Sequence, residues 1–129
     1  MREVRFRGRD LEDGGWVHGD LVRQREESFI ITHVDSMPLS FRYAEVDPTT
    51  VGQYTGLKDK NGMEIYEGDV VRCVERVGRV GYVAEHASFL VFATDEEGAC
   101  FRRLEGDGNL LETKIIGNIY DNPDVEGPK

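Results

Sequence analysis

The chain is poor in the features that announce chemistry. It has two cysteines in 129 residues, Cys73 and Cys100. Neither belongs to a Cys-x-x-Cys or stands near a histidine pair, so no disulfide framework or zinc site is signalled. Both sit inside apolar runs, and the expectation is buried, reduced thiols in a cytosolic protein, against a disulfide or metal pair. The histidines, His18, His33 and His86, are scattered through strand-like sequence. No Gly-x-Ser-x-Gly, Walker-type loop or dinucleotide fingerprint occurs. No apolar run approaches the roughly 20 residues that span a bilayer, which argues against a membrane helix. Met1-Arg2-Glu3 runs straight into alternating sequence, so no signal peptide is expected and the location reads as cytoplasmic.

What is present is an ordinary balance of 39% apolar and 32% charged residues, with a formal charge of −9. That composition suits one compact soluble body with a real core. An acidic chain repels nucleic acid at long range, so nucleic-acid binding is possible but disfavoured. The charge is uneven. Arg2, Arg5, Arg7 and Arg9 make the first strand basic, whereas Asp95-Glu96-Glu97 and the tail from Asp121 to Glu126 are acidic. A basic edge and acidic loops on one molecule are able to pair across a subunit interface.

Val4 and Phe6 alternate with Arg5 and Arg7, the two-residue period of a half-buried strand. Asp13-Gly14-Gly15 reads as a turn, Trp16-Val17-His18 as a strand, Gly19-Asp20 as punctuation, and Leu21 to Arg23 as resumed extended chain. Phe29 to Val34 is a strand rich in β-branched and aromatic residues. Phe41 to Val46 alternates weakly. Asp47 and Pro48 suit the cap and first position of a single helical turn. Next comes Asp59-Lys60-Asn61-Gly62 between extended runs, the strongest hairpin signal in the chain, because Asn and Gly tolerate left-handed backbone angles. Tyr66-Glu67-Gly68-Asp69 turns into Val70 to Glu75, and Gly78 is read as a break. Strands follow at Val80 to Glu85, Ser88 to Ala93, Ala99 to Leu104 and Lys114 to Tyr120, with an acidic loop from Thr94 to Gly98. Leu110-Leu111-Glu112 hints at helix.

Short strands at such spacing indicate a mainly β protein. Apolar residues on both faces of one strand, Phe89 and Val91 against Leu90 and Phe92, are covered together if the sheet closes. The expected architecture is an SH3-like small β-barrel in the C-terminal half with an N-terminal β-rich extension packed on it. The boundaries read 1–52 for the N-terminal segment, 53–121 for the barrel and 122–129 for an acidic tail.

The opening MREVRFRGRD with GGWVHGDLV, the central VGQYTGLKDKNGMEIYEGDVV and the closing IIGNIYDNPD resemble the YopX family, found mostly in bacteriophages and prophages of Gram-positive bacteria. The likeness spans both ends of the chain. Between Val74 and Leu111 it is one of pattern only. It implies an SH3-type barrel and a phage-related origin in a bacterial host cell. It implies no mechanism, since no biochemical role is established for the family and no catalytic residues are assigned.

The expected function is therefore a non-catalytic, homo-oligomeric interaction module without cofactor or metal. The alternative is a nucleic-acid-binding barrel in which the arginine-rich strand, with Phe6 and Trp16, meets phosphates and bases. Candidate interaction residues are Arg5, Arg7 and Trp16 at the N-terminus, and Tyr54, Lys58, Asp59, Asn61, Glu64 and Tyr66 around the hairpin. Asp59 and Asn61 have a second reading as turn builders whose side chains bond nearby amides. Tyr54 and Tyr66 have one as core-edge residues. Glu64, Glu67 and Asp69 are spaced around a turn, not converging as a catalytic carboxylate pair would.

Overall fold

Alternation in the first fifty residues produces four strands, followed by one short 3-10 turn. The computed structural model describes residues 4–33, 41–73, 76–84, 87–95, 98–103 and 113–121, the side chains at 33, 41, 73, 76, 93–95 and 98–103 excepted. The expectations for Cys73, Cys100, His33, His86, Leu110-Leu111-Glu112 and the 122–129 tail fall on side chains or segments outside the described residues. The chain divides into two compact units, Met1–Tyr54 and Thr55–Lys129.

In the N-terminal unit, β1 (Phe6–Arg9), β2 (Trp16–Gln24), β3 (Glu27–His33) and β4 (Phe41–Val46) form an antiparallel sheet ordered β4-β3-β2-β1, with the start of β5 (Gly52–Lys58) against β1. The far end of β1 returns to β4. Leu11 N–H donates to the Glu45 carbonyl at 3.0 Å and Asp47 N–H to the Arg9 carbonyl at 2.9 Å. This curl presses β1 against β4, and a Cβ on Gly8 would lie 2.9 Å from that of Val46. Ile30 and Val46 are fully buried on the inner face. Asp47 caps the turn Pro48–Thr50 as expected, its carboxylate accepting Thr49 N–H at 3.0 Å.

Gly19 does not interrupt the strand. β2 runs through it for nine residues. The glycine is required because the Ile31 carbonyl oxygen would stand 2.0 Å from a Cβ there. Gly78 repeats the lesson. It lies inside β8, and a Cβ would meet the Phe92 carbonyl oxygen at 2.3 Å. Both glycines permit close backbone approach rather than a break.

The C-terminal unit comprises the rest of β5, β6 (Glu64–Tyr66), β7 (Asp69–Cys73), β8 (Arg76–Val83), β9 (Ser88–Asp95), β10 (Gly98–Arg103) and β11 (Thr113–Asn118). Five of these form an antiparallel sheet ordered β10-β9-β8-β7-β11. The expected closed barrel is not what this sheet is. Among the described residues no ladder joins β10 to β11, and the sheet is open. One side of it buries Ile65, Val71, Val80 and Phe89, with Leu57, Val91 and Ile115 against them. The expected loop at 94–98 is shorter than read, because Asp95 already pairs with Gly98. β11 carries an irregularity between Ile115 and Gly117, which leaves Ile116 43% exposed.

Candidate functional site

Register decides which side chains meet. Arg7 lies opposite His18 and Arg9 opposite Trp16, so all four share one face of the N-terminal sheet. The guanidinium carbons of Arg7 and Arg9 stand 4.2 and 4.3 Å from the Trp16 ring centroid. Arg5 stands 5.4 Å from the Tyr54 ring, and Tyr54 N–H donates to the Arg5 carbonyl at 2.7 Å. The structure thus gathers Arg5, Arg7, Trp16 and Tyr54 in one unit. Such cation–π contacts contribute about 0.5–1 kcal/mol each when exposed and about 2 when desolvated. Arg7 and Tyr54 are only 7% and 5% exposed, so much of this cluster is internal.

The same face continues across β2 and β3 into an apolar concavity. Alternation carries it from Trp16 through His18 and Asp20 to Val22 and Gln24. Val22 pairs with Phe29, and Ile31 with Tyr43. Val22, Gln24, Phe29, Ile31 and Tyr43 line a hollow of about 220 Å³. Phe29 and Tyr43 meet edge to face at 6.3 Å between centroids. Tyr43 is 70% exposed and Val22 41%. None of these was singled out from sequence. The available signal was Phe29-Ile30-Ile31, which is apolar on both faces of one strand, so that burying Ile30 leaves its neighbours outside.

In the C-terminal unit, the Asp59–Gly62 segment is a three-residue hairpin. Gly62 N–H donates to the Asp59 carbonyl at 3.0 Å and Asp59 N–H to the Met63 carbonyl at 2.8 Å. Among the residues of this turn only Gly62 has positive φ, at 81°. Asn61 does not use its left-handed tolerance. The arrangement is a type I turn followed by a glycine bulge. Asp59 is the turn builder that the sequence suggested. Its Oδ1 accepts Asn61 N–H and Met63 N–H, each at 2.9 Å, and its Oδ2 accepts Ile115 N–H at 3.0 Å. Burial would raise this carboxyl's pKa. The amides of Ile115, Met63 and Asn61, with Lys114 nearby, outweigh that and hold it below the ordinary carboxylate value.

Lys58 and Asn61 are exposed beside this turn. Tyr66 is 2% exposed. Its hydroxyl donates to Glu64 Oε1 at 3.1 Å, and its N–H donates to Asp69 Oδ2 at 2.8 Å. Glu64 and Asp69 are thereby engaged separately. Among the described residues no group of His, Cys, Asp and Glu is arranged to hold a metal ion. No described helix is long and apolar enough to cross a membrane.

These features define a mainly antiparallel β protein of two units, with an aromatic–guanidinium face on one and a carboxylate-tied hairpin on the other. The chain belongs to the YopX protein family, whose model matches residues 5–125. No curated protein matches it. Among solved structures it is similar to the crystal structure of protein EF1440 from Enterococcus faecalis, at 22% identity and a TM-score of 0.48. That likeness covers 96% of this chain and 98% of the other.

Proposed function

We propose that this YopX-family protein is a non-catalytic interaction module that works by self-association, without a cofactor. In this reading it is encoded by a phage or prophage and acts in the cytoplasm of the bacterial host. The observation that carries it is the hollow lined by Val22, Phe29, Ile31 and Tyr43. An apolar centre within a polar rim is the anatomy of a protein interface. On this face the rim carries the carboxylates Asp20, Glu27 and Glu45, and the adjoining turn adds Arg25 and Glu26, whereas Arg23 and Arg42 alternate to the opposite face. A two-fold pairing of this face would bury the apolar centre of each copy against the other and leave the charges at the solvated edge. In the C-terminal unit, the run β7 to β10 with β11 returning to β7 supports an SH3-like relationship left open at its edges.

Size-exclusion chromatography with light scattering tests the reading. The wild-type chain is expected to run as a dimer or larger at tens of micromolar, and Tyr43→Arg with Val22→Glu as a folded monomer. A wild-type monomer at millimolar concentration would overturn it.

Nucleic-acid binding through Arg5, Arg7 and Arg9 has less support. Their guanidinium groups are stacked on Trp16 and Tyr54, so a base or phosphate would have to displace existing contacts.

A further inference from the structure

Three separate elements bring basic residues together at one end of the C-terminal unit. Lys60 comes from the hairpin, Arg72 from β7 and Lys114 from β11. All three are exposed. Lys60 N–H donates to the Thr113 carbonyl at 2.9 Å, which sets Lys60 beside Lys114. Lys114 in turn lies directly opposite Arg72 in the β11–β7 ladder. Directly opposed like charges destabilise a sheet. In a chain with 25 acidic and 16 basic residues, an acidic neighbour would be the commoner outcome.

The carboxylate that the structure describes at this spot is Asp59. It attracts Lys114, but its oxygens are occupied by the amides of Asn61, Met63 and Ile115. Among the described residues, one negative charge thus stands against three positive ones.

We infer that Lys60, Arg72 and Lys114 form a binding site for phosphate groups, carried by a nucleic-acid strand or free in solution. An arginine fork with two mobile ammonium groups suits a tetrahedral, multiply charged oxyanion, to which the arginine presents paired donors and the lysines point charges. The −9 charge of the whole chain weakens long-range attraction, whereas contact affinity follows the local cluster. This surface shares no residue with the self-association hollow, so either reading can fail without the other.

Fluorescence anisotropy with a labelled single-stranded 20-mer, DNA and RNA in turn, is the test. Wild type is expected to bind in 50 mM salt and to weaken with a log–log salt slope of about −2, as three phosphate contacts on a single strand give. Lys60→Gln with Arg72→Gln, which leaves Lys114 beside Asp59, is expected to weaken binding by about tenfold. The Lys60→Glu, Arg72→Glu, Lys114→Glu variant, checked for folding by circular dichroism, is expected to abolish it. Competition by millimolar inorganic phosphate assigns a single-phosphate site, and its failure assigns a strand site. The inference is overturned if neither oligonucleotide nor phosphate binds wild type at 50 mM salt. It is equally overturned if the glutamine variant binds as wild type does, or if only Arg5→Gln with Arg9→Gln removes binding.

Discussion

Asp59 and Ile115, 56 positions apart in sequence, are joined by a 3.0 Å hydrogen bond from the backbone amide of the second to the carboxylate of the first. A side chain that shapes its own turn therefore also secures β11. The residue is only 7% exposed, so removing the acceptor would leave largely buried amides short of a partner.

Asp59→Asn is expected to destabilise the protein by about 1–3 kcal/mol, since one of the three amides would then face an NH2 group. The contribution also depends on pH. The folded-state pKa is lowered, so the stabilisation is complete above the unfolded carboxylate value and is lost as pH falls through the folded one. Urea midpoints of wild type and variant should converge below about pH 4. A gap that stays constant from pH 7 to pH 2 would contradict this assignment.

Gly19→Ala and Gly78→Ala are each expected to cost about 3 kcal/mol or more, because the new methyl would collide with a neighbouring strand's carbonyl. Gly14→Ala and Gly62→Ala meet nothing within 4 Å and suffer only from positive φ, at 74° and 81°. Their cost should be about 1–2 kcal/mol. Thermal denaturation of the four variants separates the groups, and a loss at Gly78, which has no positive φ, no larger than that at Gly14 would show that the Phe92 carbonyl moves aside for the methyl.

Trp16 is the one tryptophan in the chain, so its fluorescence reports directly on the clamp formed by Arg7 and Arg9. Arg9→Ser should shift its emission to the red and lower stability by about 0.5–1 kcal/mol. Arg7→Met keeps the apolar stem while removing the cation, and its loss should approach about 2 kcal/mol because the site is desolvated. Unchanged spectra in both variants would mean that the guanidinium groups do not contact the ring in solution.

Local chemistry was legible in the sequence, and long-range chemistry was not. The Asp47 cap and the hairpin at Asp59 were readable because their partners lie within four residues. The roles of Gly19 and Gly78 were misread because they depend on Ile31 and Phe92, strands away. The open C-terminal sheet was misjudged for a related reason: two apolar faces require cover, but a sequence does not say whether closure or another element supplies it. Tyr43 escaped notice because its neighbour Phe29 is fixed by the β3–β4 register, which no spacing rule encodes.

The return of Asp10 and Leu11 to Glu45 and Val46 has a consequence for synthesis. The ladders joining β1 to β4 are complete once the first 54 residues have left the ribosome, so that portion can adopt its shape while the remainder is still being made. The second portion must wait for its last strand, because β7 and the hairpin both take partners from residues 113–118. A transcript cut short just before Thr113 would therefore yield a finished first half joined to a second half lacking its closing strand.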